Sequence, residues 1–201
     1  MSPKDIAPAV LDSASVGDEA TFLRFGTLAA RLDALPPAPR DAGRVRLLVA
    51  REDAGRRVTH ARVVLTVAGG MPGDAWARRP PAKSDAQLAV MQHDVATLVA
   101  NGQPLALFGD NLFLDLDLSL ANLPIGSRLR AGAALLEVTP KAHNGCRKFN
   151  ARFGADALRF VSEPGRRHRN LRGIYLRVVE EGEVALGDVV EIVTRALSVG
   201  D

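Results

Sequence analysis

Short apolar runs, cut at close intervals by clusters of glycine, proline, aspartate and asparagine, constrain this chain more than any other feature. Arg44–Ala50 is one such run, and Asp53-Ala54-Gly55 turns it back into Val58–Val67. Pieces between Leu105 and Leu120 follow, then Arg128–Arg130, Ala133–Thr139, Gly173–Val179, Val184 and Val189–Val193. Runs of this length, rich in valine and leucine, read as strands, and their number predicts a mainly β fold with a partly closed barrel. In Phe113–Leu118 apolar and acidic residues alternate with period two, which predicts a strand with one wet face carrying Asp115 and Asp117.

Three stretches have helical spacing instead. Phe22, Phe25, Leu28, Leu32 and Leu35 predict an N-terminal helix from Thr21, stopped at Pro36-Pro37. Ser84-Asp85-Ala86-Gln87 has the form of a capping box and predicts a helix over Ser84–Asn101, with a stripe of Leu88, Met91, Val95, Leu98 and Val99. A third helix runs from Arg147 to Val161, with Gly154 as a break and Glu163-Pro164-Gly165 as its end. The fold class is therefore mainly β with added α, the extra N-terminal helix included; a doubly wound parallel sheet is the weaker alternative. Residues 1–42 read as an arm, mobile over residues 1–19, plus that helix, and residues 43–197 as one domain. At 201 residues and 47% hydrophobic, the chain can bury one sizeable core.

The chemistry centres on Cys146, the only cysteine. It sits where a strand hands over to a helix, next to free backbone N–H groups, with Lys141, His143, Arg147 and Lys148 close by. That setting suits a functional thiolate; the alternative is a small buried hydrophobe. One cysteine makes no internal disulfide, no apolar run reaches membrane-span length, and Met1–Asp5 lacks the order of a secretory signal, so a cytoplasmic location is expected. Of the 26 basic residues, 22 are arginine, although the net charge is only +3. Arginine suits bidentate grips on phosphate or carboxylate. With 4% aromatics and no helix-turn-helix or RNA-binding motif, nucleic acid is not an expected partner. No glycine-rich phosphate loop, zinc-spaced cluster or Ser/His/Asp signature occurs.

Several segments, in order, resemble the MOSC domain: Gly109-Asp110-Asn111-Leu112, Ile125–Arg130, Leu136–Thr139, Gly145-Cys146-Arg147-Lys148-Phe149, Asn150-Ala151-Arg152-Phe153-Gly154 and Gly173–Val178, then Gly182–Val184 and Gly187-Asp188. MOSC domains end molybdenum cofactor sulfurases and occur as stand-alone bacterial proteins, and the resemblance spans Arg44 to Val193. It implies a β-barrel with helices at its ends and the molybdenum cofactor (molybdopterin) as ligand. Cys146 is then the catalytic thiol, as metal ligand or sulfur acceptor. Asn111, Arg147, Lys148, Asn150, Arg167 and Arg169 would bind the cofactor, the last two through its phosphate. Gly73-Asp74 also fits the family, whereas Trp76 and Arg78-Arg79 stand where it often carries histidines.

Three functions follow. One is a cofactor protein reducing N-hydroxylated compounds with an external redox partner. Another is a sulfur carrier, independent of pyridoxal phosphate, that takes persulfide from a separate cysteine desulfurase. The third is a non-catalytic binding domain.

Overall fold

In the computed structural model, which describes residues 10–11, 17–78 and 83–197, the first half of the chain forms β1 (Val10–Leu11), α1 (Phe25–Asp33), β2 (Ala42–Arg51), β3 (Arg57–Thr59), β4 (Arg62–Leu65), β5 (Leu88–Gln92) and α2 (His93–Ala100). The second half forms β6 (Leu112–Leu114), β7 (Arg128–Ala131), β8 (Ala134–Val138), α3 (Arg147–Phe153), α4 (Ala155–Ser162), β9 (Ile174–Glu180), β10 (Gly182–Ala185) and β11 (Val189–Thr194). Hydrogen bonding runs β2–β11–β7–β8–β9–β5–β6, and β6 returns to β2, so seven strands close a barrel. A ring with an odd number of strands cannot alternate direction all the way round; one neighbouring pair must run parallel. That pair is β5–β6, with Val90 opposite Leu112 and Met91 opposite Phe113. Parallel neighbours need a crossover, and α2 is part of it. Outside the ring, β3 pairs with β2, β1 with β3, and β4 with β10.

The pleat sends alternate side chains to two cores. Leu48, Val90, Leu112, Leu114, Leu136 and Leu176 fill the barrel. Their neighbours Val49, Met91 and Phe113 face outward into a second cluster with Leu28 and Leu32 of α1, Val95 and Val99 of α2, and Phe149, Phe153 and Phe160. Phe108 stacks on Phe153 with ring centroids 4.1 Å apart. The helices thus gather over β2, β5 and β6, including the expected N-terminal helix. None is long and apolar enough to cross a membrane. Most of the arm expected over residues 1–19 lies outside the described residues. Its end is tied down: the Gly17 N–H donates to the Ala151 carbonyl at 2.9 Å, and the Asp18 N–H to Gln103 Oε1 at 2.9 Å.

One expected helix is not formed as read. Ser84–Asn101 divides into a single 3-10 turn at Ser84–Ala86, the strand β5 and the shorter helix α2. Leu88 to Met91 are all buried. One face of β5 meets the barrel core and the other meets the helices, so both select apolar residues and the period-two signature vanishes. Gln87, the expected capping partner, is buried too; its Oε1 accepts from the Val178 N–H and its Nε2 donates to the Val67 carbonyl, each at 2.7 Å. Ser84 is exposed and caps no α-helix. Ser84→Ala is therefore expected to move stability by less than about 0.5 kcal/mol, where losing a true cap costs about 1 kcal/mol; urea denaturation midpoints measure the difference.

Two expected strands are also shorter than read. Val58–Val67 breaks after Thr59, and β4 leaves to pair with β10. Of Phe113–Leu118 only the start belongs to a strand, although Leu116 and Leu118 stay fully buried. Asp115 is spent on Arg46 at 2.6 Å, and Asp117 on the Ser119 N–H at 2.9 Å. The third helix breaks at Gly154 as read, into α3 and α4. Gly154 has φ 87°, and a Cβ there would lie 2.8 Å from the Phe22 ring.

Candidate functional site

Residues from the end of β2, the start of β3, the segments before β6 and after β8, the first turns of α3 and the start of β9 come together around one site. Between them lies a cavity of about 800 Å³. Cys146 is part of its wall. It immediately precedes α3, with extended backbone, an exposed side chain and no capping hydrogen bond, so the thiol has no structural task. The loop that carries it is held closely. Thr139 Oγ1 donates to the Asp85 carbonyl at 2.7 Å, and Gly145 lies so near α4 that a Cβ would meet Leu158 Cδ1 at 2.3 Å.

Cations dominate the wall. Arg51, Arg57, Arg78, Lys83, Lys141, Lys148, Arg152 and Arg172 line it, against the carboxylates of Glu52 and Asp53. Some of this charge is neutralised from behind. Arg51 grips the buried Asp74 with Nε at 2.9 Å and Nη2 at 2.7 Å, while the Arg51 and Trp76 N–H groups and Asn111 Nδ2 donate to the same carboxylate. Burial pushes Asp74 up, but these donors and the Arg51 charge outweigh it and hold the carboxyl below its usual range. Arg172 Nη1 meets both oxygens of the fully buried Asp110, at 3.0 and 2.8 Å. There burial prevails over Arg172 and raises the Asp110 carboxyl.

Arg57 and Arg152 have no such partner. Each is only 6% exposed. Each donates to one carbonyl, Arg57 to Gly55 and Arg152 to Leu107, and each leaves its Nε buried without an acceptor. Burial, then the charges of Arg152 and Arg51, lowers Arg57 to about 10. Burial also lowers Arg152; negative charge on Cys146 opposes this, and Arg172 adds to it. Guanidinium groups stay protonated at neutral pH even so, and the cavity therefore holds two buried cations that lack a counter-anion among the described residues.

His143 and Tyr175 complete the wall, their rings 4.3 Å apart. His143 Nδ1 lies 3.5 Å from Asp110 Oδ1 without a hydrogen bond. Burial, followed by the charges of Arg172 and Arg51, pushes this imidazole well below its usual value, so it is neutral and the contact is not an ion pair. Burial, then the Asp110 charge, raises the Tyr175 hydroxyl.

Of the residues singled out in the sequence, Cys146 and Lys148 lie on this wall. Arg167 lies on a smaller neighbouring cavity. Arg147 is exposed and lines neither, and Arg169 turns to Asp33 at 3.7 Å. Asn150 is half-buried with an unpartnered Oδ1. Asn111 is fully buried, its amide spent on the Ala89 N–H, the Val49 carbonyl, Asp74 and Arg51; it braces the site from behind. Trp76 and Arg78 reach the cavity, while Arg79 lies outside the described residues.

Sequence reasoning did not gather Arg51, Arg57, Arg152, Arg172 and Asp110 into the site. One signal was available. Arg51 and Arg57 flank the Asp-Ala-Gly turn and stand directly opposite each other on β2 and β3, a like-charge pair that a hairpin tolerates only at a cost.

Among the described residues no group of three or more His, Cys, Asp or Glu side chains is placed to hold a metal. A family model for the MOSC domain matches residues 74–191. Three solved structures share the fold. YiiM from Escherichia coli is 22% identical over 77% of this chain and 72% of its own, with TM-score 0.53. The YUAD protein from Bacillus subtilis is 18% identical over 78% and 98%, with TM-score 0.56. A structure described only as a hypothetical protein is 21% identical over 78% and 70%, with TM-score 0.57. No curated protein matches the chain.

Proposed function

The chain belongs to the MOSC domain family, and from that premise we propose that it binds the molybdenum cofactor, with Cys146 as a metal ligand, and reduces N-hydroxylated compounds with electrons from an external donor. MOSC proteins are associated with that cofactor. The observation that carries the reading is one cavity combining an exposed thiol with two buried arginines that lack a counter-anion. Such a pair calls for a ligand with concentrated negative charge, and guanidinium forks match a phosphate.

The residues present fit the group. Arg57 and Arg152 would hold the pterin phosphate, and Lys148, one turn before Arg152 on α3, would add charge at the rim. A thiolate is the soft donor such a metal takes. With no chelating cluster in the described residues, the metal has to arrive with ligands of its own, as molybdenum does in its pterin. When bound, the group supplies a two-electron redox centre. The chain supplies the rest: anion binding, further lining from Trp76 and Arg78, and proton-bearing groups in the wall. Cleaving an N–OH bond to amine and water consumes two electrons and two protons, and the neutral His143 beside Tyr175 is placed to pass protons into the cavity.

The exposure of Cys146 favours one further reading, because another protein can reach it. The thiolate would attack the outer sulfur of a cysteine desulfurase persulfide, taking that sulfur and releasing the donor's thiolate. Elemental and sulfur analysis of protein made in a host that synthesises molybdenum cofactor separates the two. Molybdenum approaching one per chain supports the first reading, and cyanolysable sulfur without metal supports the second. Protein carrying neither overturns both.

A further inference from the structure

Beside the cysteine cavity lies a second one of about 400 Å³. The two share His143, Asn144 and Arg172, so the loop leading to Cys146 forms the partition between them. Val161 and Leu171 give the second cavity an apolar side, and Ser162 and Arg167 a polar one. Three arginines of the basic stretch from Arg166 to Arg172 are already paired. Arg166 pairs with Glu163, Arg169 with Asp33 at 3.7 Å, and Arg172 with Asp110 at 2.8 Å. Arg167 pairs with no carboxylate among the described residues, and among the three arginines of the Pro164–Arg169 3-10 helix it is the one that lines the cavity.

We propose that this second cavity is a subsite for a small organic anion, a carboxylate or phosphate ester on an apolar or aromatic body. Arg167 takes the anionic group, and Val161 and Leu171 take the body. The size suits a single ring with its substituents. Because the partition carries Cys146 three residues after His143, a ligand here extends towards the thiol cavity, and the subsite selects substrates that bear an acidic group. Calling the ligand a substrate rests on the reading proposed above; the binding itself does not.

Calorimetric titration of the metal-free full-length protein with benzoate, phenyl phosphate and the neutral benzamide tests it. Charge-assisted hydrogen bonds are lost with the arginine, so benzoate is expected to bind at least about fivefold more weakly to Arg167→Ala. Affinity should be unchanged in Arg169→Ala, whose side chain lines neither cavity, and in Arg57→Met, which alters only the first. Benzamide should be weaker than benzoate by a similar factor. Ser162→Trp, an exposed position whose new ring fills the cavity, should abolish binding. The comparison of benzoate with phenyl phosphate, made in Arg57→Met protein so that the first cavity does not compete for phosphate, identifies the preferred head group. Equal binding of benzoate and benzamide, or indifference to Arg167→Ala, overturns the proposal. So does a loss of benzoate binding caused by Arg57→Met, which would place the carboxylate in the first cavity. Molybdenum content is read in parallel: its loss in Arg167→Ala would make Arg167 a cofactor residue and overturn the subsite. A wild-type protein that takes no molybdenum would sink the cofactor reading and leave the benzoate result standing.

Discussion

Cys146→Ser is expected to fold like the wild type and to retain less than about a tenth of the wild-type molybdenum or transferable sulfur. The serine keeps the size of the side chain, and the position asks nothing more of it structurally, since Cys146 is exposed and makes no capping hydrogen bond. What changes is the donor atom. A hydroxyl is hard and stays protonated near neutral pH, whereas a molybdenum centre and a persulfide both require sulfur. Losing a direct ligand should exceed the roughly 10- to 100-fold effect typical of residues that only support one. Thermal melting checks the fold and elemental analysis checks the metal. Native protein should also be alkylated by iodoacetamide at Cys146, and bound cofactor should slow that reaction. A serine variant that holds wild-type molybdenum would return Cys146 to a passive surface position.

What could be read from the sequence follows how local each signal is. The β7–β8 hairpin needs only neighbouring residues, as does the break at Gly154, and both were legible. The Ser84–Asn101 stretch was not. Its buried strand has lost alternation because it is covered on both faces, and burial on both faces follows from barrel closure, which no window of a dozen residues contains. The site has the same difficulty in a stronger form. Arg51, Arg57, Arg152 and Arg172 are spread over more than half the chain, and each alone reads as an ordinary exposed arginine. Their burial depends on the β2–β3 hairpin tip, α3 and the segment before β9 arriving at one cavity. Asn111 illustrates the converse. Its motif was visible, but only the fold reveals that its amide is consumed in bracing Asp74, Arg51 and β5.

The same arrangement sets stability against ligand binding at Arg57, and a paired substitution separates them. In the ligand-free protein Arg57 contributes destabilisation, since burial and the charges of Arg152 and Arg51 lower it from the usual arginine value to about 10. For a base with a depressed value in the folded state, the unfolded chain binds more protons between those two values. The penalty is therefore complete below about pH 10 and is relieved as pH rises through that window. At neutral pH it amounts to a cost on the order of 2 kcal/mol, discounted for partial solvation of the cavity. Arg57→Met keeps most of the apolar stem and removes the charge. Truncating a buried, hydrogen-bonded side chain ordinarily costs about 1–3 kcal/mol. Here the ligand-free variant is expected to be as stable as the wild type or more so, by up to about 2 kcal/mol. The Arg57→Met, Arg152→Met double variant should go further in the same direction. Binding should move the opposite way, because two charge-assisted contacts at roughly 1.5–3 kcal/mol each are gone. Phosphate or pterin-phosphate affinity should fall at least about 100-fold. Denaturation midpoints with and without added phosphate read both quantities in one experiment. The wild type should gain stability from phosphate while the double variant gains none. A double variant that is strongly destabilised and still stabilised by phosphate would mean that these arginines serve the fold and that the anion binds elsewhere.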